Sequence, residues 1–87
     1  MTTRRLVWTP FAWADYLYWQ TQDRRILKRI SLLIADVLRD PFAGIGKPEA
    51  LKHALAGAWS RRIDEANRLV YVADADSVTI IQARYHY

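Results

Sequence analysis

Several side chains in this sequence have the types that acid–base chemistry at a phosphate group requires. Glu49 is one of two glutamates in the chain, and it lies among cations in the stretch KPEALKH, which also holds Lys52. A carboxylate at such a position can accept a proton, and arginines such as Arg68 can hold a phosphate. His86, next to the last residue, can donate a proton near neutral pH.

Together these residue types suit the cleavage of RNA without a metal ion. A base removes the proton of the ribose 2′-hydroxyl, and the freed oxygen attacks the adjacent phosphorus. Cations stabilise the charged pentacoordinate centre, while an acid protonates the departing 5′-oxygen. Because the attacking hydroxyl belongs to ribose, such a site acts on RNA and not on DNA.

The same residues also have plainer interpretations. A glutamate among cations is commonly a surface ion pair that contributes little to stability. Glu49 and His53 have the spacing of a metal pair on a helix, but Pro48 and the loop setting disfavour a helix, and the chain has only two histidines. The sequence contains no Walker loop and no GxGxxG motif. We therefore expect neither a metal nor a cofactor.

Composition indicates one basic domain over residues 1–87. The chain has 13 Lys and Arg residues against 9 Asp and Glu, a net charge of +4, and arginine dominates the cations. This charge favours a polyanionic partner, either nucleic acid or an acidic protein, with general solubility as the alternative. The absence of cysteine, of a long apolar run and of a signal-peptide pattern predicts a cytoplasmic protein without a membrane segment.

Capping residues predict two helices after a short strand, RRLVW, that ends at Trp8. Thr9 as N-cap with Pro10 after it starts the first helix, and Asp23 caps the second. We expect the large residues of the first helix to be core: Trp13, Tyr16, Leu17 and Trp19. On the second helix the buried face is predicted as Ile26, Ile30, Leu33, Ile34 and Val37.

The second half of the chain predicts a loop followed by strands. Pro41 ends the second helix, and PFAGIGKPEALKH is predicted to be a loop because of its glycines and prolines. AWSRRI, RLVYVA and VTIIQARYHY are predicted strands, and the short turns between them require antiparallel neighbours. The predicted fold class is α+β, a small two-layer sandwich with an N-terminal strand and then two helices packed on an antiparallel sheet.

Strand alternation predicts a basic face on the side of the sheet away from the helices. Arg62, Arg68, Arg84 and His86 would share that face, edged by the glycine-rich loop. Ala83 and Tyr85 would point to the core side. Strict alternation also sends His86 and Tyr87 to opposite faces, so both can serve one site only if the chain curls out of the strand at its end.

Five stretches, taken in order, resemble the YoeB-type toxins (Txe family) of the RelE superfamily. They are DYLYWQ, DPFAGIGKPEALKH, WSRRI, RLVY and RYHY, and the resemblance covers nearly the whole chain. The resemblance implies a RelE-like, microbial-ribonuclease-like fold and a toxin of a bacterial type II toxin–antitoxin system. Such toxins cut mRNA at the ribosomal A site and so inhibit translation.

The resemblance also implies a role for each matching residue. Glu49 would be the general base and His86 the general acid. Arg68 would stabilise the charged transition state, and Tyr87 would hold the substrate by stacking or hydrogen bonding. Lys52 and Arg62 would contact phosphates, and the predicted basic face adds Arg84 to them.

The implied partners are a cognate antitoxin, the ribosome with its mRNA, and operator DNA only through the antitoxin complex; a homodimer is left open. The alternative is a noncatalytic RNA- or ribosome-binding module, which would need the arginines but neither a base nor an acid. Asn67, in DEANRLVY, stands where the family often has histidine. We expect that difference to be structural, because Arg68 is retained.

Overall fold

The computed structural model describes residues 4–85, and the fold within that range is a five-stranded sheet with two helices. The strands are β1 (Arg5–Trp8), β2 (Glu49–Ala50), β3 (Trp59–Arg62), β4 (Arg68–Ala73) and β5 (Ser77–Gln82). The helices are α1 (Pro10–Gln22) and α2 (Arg24–Arg39), and one turn of 3₁₀-helix spans His53–Leu55.

The helix boundaries follow from the predicted caps. The Thr9 hydroxyl accepts a hydrogen bond from the backbone N–H of Ala12 at 3.1 Å, and Pro10 is the first residue of α1. Asp23 ends α1 by donating its N–H to the carbonyl of Trp19, and its carboxylate accepts from the N–H of Arg25 at 2.9 Å to start α2. One residue therefore serves both helices.

The sheet is mixed, with the strand order β1-β5-β4-β3-β2. The antiparallel pairing of β3, β4 and β5 confirms the prediction from the short turns. The prediction did not include the pairing of β1. This strand lies parallel to β5, with Leu6 opposite Val78. Parallel neighbours require a long connection between them, and the whole chain from α1 to β4 provides it.

The main core lies between the helices and one face of the sheet. The predicted face of α2 is confirmed, since Ile30, Leu33, Ile34 and Val37 are buried and Ile26 packs against them. The sheet contributes a facing set of buried residues: Leu69, Tyr71, Val78 and Ile80. The prediction for α1 was right for Trp19 and wrong for Trp13 and Leu17, which are 46% and 44% exposed.

Trp13 is exposed because of where α1 lies in the fold. Its ring packs on Trp8 of the edge strand β1, with 5.7 Å between ring centroids, and stacks on Tyr16 at 5.6 Å. Beyond these aromatic rings no further layer of the described chain covers that side. Helical spacing identified residues that lie on one face of the helix. It did not show which of them are covered by another part of the chain.

A buried arginine fastens the glycine-rich loop to this core. Arg61 has no exposed surface, and its Nε donates to the Tyr71 hydroxyl at 3.1 Å. Its terminal nitrogens donate to the Asp36 carboxylate and to three loop carbonyls, those of Asp40 (2.6 Å), Ala43 (3.2 Å) and Ile45 (3.1 Å). Every N–H of the guanidinium group is thereby satisfied, which is the condition for burying a charge at tolerable cost.

Close approach to that network explains one loop glycine. Gly44 has φ +138°, and a Cβ built there would lie 1.9 Å from the Asp36 carboxylate oxygen. The loop backbone therefore passes against the buried ion pair at a distance that no side chain permits. This contact fixes the loop just ahead of Glu49.

Candidate functional site

Glu49 lies on the outermost strand of the sheet, not in a loop as predicted. It pairs with Ser60 of β3, and Ala50 pairs with Trp59. Two residues of strand between a proline and a 3₁₀ turn are too short for a sequence pattern to reveal. Because residues directly opposite each other in an antiparallel pair share a face, Glu49 lies on the same face as Ser60.

Arg62 and Arg68 lie on that same face, as the alternation predicted. They are direct partners across β3 and β4, and Ser60 is the partner of Val70. A small second core beneath them, Leu51, Ala58 and Val70 with Ile81 packed against it, belongs to the face away from the helices. The edge glutamate and two adjacent arginines are thus carried by three neighbouring strands.

Arg68 is the centre of this arrangement. Its side chain is only 19% exposed, and its Nη1 lies 3.8 Å from the Oε2 of Glu49, whose side chain is 61% exposed. Its Nε is buried and makes no hydrogen bond within the described part of the chain. Like charges directly opposite each other in a sheet are destabilising, so the Arg62–Arg68 pair maintains a positive field at some cost to stability. An anion placed on this face would relieve that repulsion.

Lys52 lies on the rim of the same area. It is exposed at the start of the 3₁₀ turn, directly after the buried Leu51. A shallow depression of about 550 Å³ is lined by the chain from Glu49 to His53, so the glutamate and the lysine border one space. The structure therefore brings together Glu49, Arg62 and Arg68, and Lys52 borders a depression that Glu49 also lines.

Arg84 does not join them, and the predicted strand through Ala83–Tyr85 is wrong. β5 ends at Gln82 after an irregularity in its pairing with β4, so alternation does not continue to Arg84. Its guanidinium carbon lies 3.4 Å from the ring centroid of Tyr18 on α1 and 4.4 Å from that of Tyr85. Arg84 therefore packs on aromatic rings at the helix side of the sheet.

The predicted core-side orientation holds for Ala83 and fails for Tyr85. Ala83 is fully buried, whereas Tyr85 is 59% exposed with φ +68°, a left-handed conformation that turns the chain. The predicted curl that would bring both His86 and Tyr87 to one site concerns residues outside the described range, and it stays a prediction. His86 and Tyr87 lie outside the described residues, so their predicted roles stay predictions.

Asn67, whose difference from the family was expected to be structural, makes contacts beside the site that the sequence did not predict. Its Oδ1 accepts from the N–H of Tyr85 at 2.7 Å, and its Nδ2 donates to the Asp64 carboxylate at 3.0 Å. The next residue, Arg68, donates its N–H to the Tyr85 carbonyl at 2.9 Å. The sequence signal was the turn DEAN, where an aspartate and an asparagine at this spacing form a side-chain-bonded turn.

Residues 4–85 carry neither a cluster of metal-binding side chains nor a membrane-spanning helix. No three His, Cys, Asp or Glu side chains there are grouped closely enough to hold a metal ion. No helix in that range is long and apolar enough to cross a membrane.

The fold is that of small bacterial toxins of known structure. The YoeB dimer from Staphylococcus aureus matches this chain with a TM-score of 0.91 at 39% identity, over 99% of this chain and 100% of that one. The toxin in a heterotetrameric YoeB–YefM toxin–antitoxin complex from the same species matches with a TM-score of 0.88 at 40% identity, over 97% and 98% of the two chains.

Sequence comparison narrows this class to one family. Residues 8–87 match the family described as YoeB-like toxin of bacterial type II toxin–antitoxin system. The chain is also 57% identical over 83 residues to Toxin YoeB of Escherichia coli K12, covering 95% of this chain and 99% of that protein. The chain therefore belongs to the YoeB-like toxins of type II toxin–antitoxin systems, and the predicted family and fold class are confirmed.

Proposed function

We propose that this toxin is an endoribonuclease that cuts mRNA in the ribosomal A site without a metal ion. The observation that carries the proposal is the placement of Glu49 3.8 Å from Arg68, with Arg62 directly opposite Arg68 on the same open face. A proton acceptor beside two phosphate-binding cations is the combination that attack by a 2′-hydroxyl requires.

In the proposed reaction Glu49 removes the proton of the ribose 2′-hydroxyl. Its exposed carboxylate is free to reach a substrate, and Arg68 holds the carboxylate and the phosphate within one site. The 2′-oxygen then forms a bond to phosphorus while the bond to the 5′-oxygen breaks, and His86 gives its proton to that leaving oxygen. Electrons and protons balance, since one proton is accepted and one is donated.

The arginines act on the charge that develops at phosphorus. The guanidinium of Arg68 stabilises the nonbridging oxygens as they gain negative charge, and Arg62 adds to the field from the adjacent strand. Lys52 contacts a neighbouring phosphate from the rim, and Tyr87 holds the substrate. Arg84 is a weaker candidate for phosphate binding, because its guanidinium is already packed on two tyrosine rings.

Dependence on the ribosome fits the shape of the site. The face is shallow and Glu49 is mostly exposed, so little of the chain surrounds an RNA strand on several sides. Holding the reacting atoms in line supplies a large part of the rate enhancement in such reactions. We propose that the ribosome supplies that orientation, while the toxin supplies the acid–base groups and cations.

We also propose that a cognate antitoxin binds this toxin, and that operator DNA is contacted only by their complex. The related toxin from Staphylococcus aureus is found with YefM in a heterotetramer. The basic face, with a net charge of +4 on the whole chain, suits an acidic segment that would cover Glu49 and Arg68.

The decisive experiment compares cleavage with binding. Glu49→Gln and His86→Gln should each lose cleavage of ribosome-bound mRNA by at least about 10²-fold while keeping wild-type affinity for the ribosome. Glu65→Gln, which changes the other glutamate at an exposed position, is the matched control and should cut normally. Full cleavage by Glu49→Gln would refute the mechanism and leave the noncatalytic binding module as the better account.

A further inference from the structure

The segment Ala83–Tyr85 has no regular secondary structure, yet its backbone is held from two separate parts of the chain. The N–H of Ala83 donates to the Asp15 carboxylate at 3.0 Å, and the carbonyl of Ala83 accepts from the indole N–H of Trp19 at 2.8 Å. Both Asp15 and Trp19 belong to α1. Ala83 itself is fully buried between them.

The next two residues are held just as closely. The guanidinium of Arg84 stacks on Tyr18, one residue before Trp19 on the same helix. At Tyr85 the N–H donates to Asn67 and the carbonyl accepts from Arg68, at 2.7 and 2.9 Å. Three consecutive residues outside any helix or strand thus have their polar backbone groups or side chains fixed by specific partners.

This degree of anchoring is unusual for a segment outside the helices and strands. Such segments are ordinarily more mobile than the regular elements beside them. Tyr85 moreover has φ +68°, a conformation that a non-glycine residue retains only where its surroundings impose it. The anchors also account for DYLYWQ, whose residues Asp15, Tyr18 and Trp19 have no place among the acid–base groups.

We propose that Asp15, Trp19 and Asn67 are positioning residues that fix the backbone leading into His86. The proposal rests on the function proposed above, in which His86 is the acid. A general acid must come within hydrogen-bond reach of the leaving oxygen, and a displacement of about 1 Å can lower a rate on the order of 10²-fold. The clamp formed by Asp15, Trp19 and Asn67 touches no substrate, and it acts only through the chain that it holds.

Asp15 offers the cleanest test. Asp15→Ala removes the acceptor for the Ala83 N–H within a helix, where alanine is favourable. Asp15→Asn keeps an acceptor oxygen of the same shape, and Asp76→Ala removes an exposed carboxylate at the opposite end of β5. Each variant is assayed for single-turnover cleavage on saturating programmed ribosomes, for ribosome affinity, and for hydrogen exchange at the amides of Ala83 and Arg68.

Asp15→Ala should cut about ten- to a hundredfold more slowly than wild type and show faster exchange at Ala83, with unchanged ribosome affinity. Asp15→Asn should restore the rate, and Asp76→Ala should match wild type. A wild-type rate for Asp15→Ala, or a loss that Asp15→Asn does not restore, would overturn the clamp. If Asp15→Ala fails to fold, Asn67→Ala tests the clamp in its place. The cleavage rate and the ribosome affinity are measured as before, and hydrogen exchange is followed at the amide of Tyr85.

The two proposals fail in different ways. If His86→Gln is inactive while Asp15→Ala and Asn67→Ala cut at the wild-type rate, only the clamp is wrong. If His86→Gln cuts normally, the assignment of the acid is wrong and the clamp falls with it.

Discussion

Asp36 should make the free energy of unfolding of this protein depend on pH. The hydrogen bonds to its carboxylate set the pH range over which this happens. The hydrogen bond from Arg61, followed by those from Arg39 and from the N–H of Ile45, lowers the pKa of Asp36 from 3.8 to about 2. The Asp36 side chain is only 17% exposed and that of Arg61 is fully buried, so solvent screens the contact between them little. Because the folded pKa is lower, the unfolded chain takes up the proton first as the pH falls.

The magnitude follows from that difference in pKa. Each pH unit of difference corresponds to ~1.4 kcal/mol, so the ionised carboxylate contributes about 2 kcal/mol to the free energy of unfolding at neutral pH. The contribution is complete above about pH 5 and is lost as the pH falls through the unfolded pKa of 3.8 towards the folded pKa of about 2. For a domain of this size that is a large share of a total of roughly 5–15 kcal/mol.

Urea unfolding of wild type and Asp36→Asn, from neutral pH down to about 2, tests this directly. The variant keeps the shape and one acceptor oxygen but cannot ionise, so the gap between the two proteins should close as the pH falls. Asp76→Asn, at an exposed turn position, should follow wild type throughout. A gap that stays constant over the whole range would refute the reasoning, because the charge of Asp36 would then contribute nothing to stability.

Three further outcomes follow from the same structure. Gly44→Ala should lower the melting temperature by several degrees, since its Cβ would collide with Asp36; an unchanged melting temperature would mean that the loop moves freely. Tyr71→Phe removes the hydroxyl that accepts from Arg61 at 3.1 Å and should cost about 1–3 kcal/mol in urea unfolding, whereas no loss would show that Arg61 finds another partner. Arg68→Lys keeps the charge but loses the planar fork, so ribosome-bound mRNA should be cut at least about tenfold more slowly, and equal rates would show that charge alone suffices.

Local signals predicted the elements of this fold well. Thr9, Pro10 and Asp23 fixed both helix starts because a cap is a contact within a few residues. Alternation placed Arg62 and Arg68 on one face for the same reason. The parallel pairing of β1 with β5 has no local signature, since nothing near Leu6 specifies Val78 as its neighbour.

The candidate site could be predicted from the sequence only for those residues that lie within a strand. Alternation correctly placed Arg62 on the face away from the helices, but the complete burial of its neighbour Arg61 depends on loop carbonyls that come from elsewhere in the chain. Arg84 was misplaced because β5 ends at Gln82, and that end is set by partners on α1 and by Asn67. The alternation of side chains between the two faces of a sheet applies only as far as the strand remains paired with a neighbour.

The position of β5 in the sheet has a consequence for the synthesis of this toxin. Among the described residues β5 is the last strand to be made, yet it lies between β1 and β4 and joins β1 to the rest of the sheet. The sheet cannot close until Gln82 has left the ribosome, and pairings this distant in sequence form slowly. A nascent chain therefore lacks the finished face that carries Glu49 and Arg68. Under the proposed function, each chain would therefore carry its activity only once its own synthesis is almost finished.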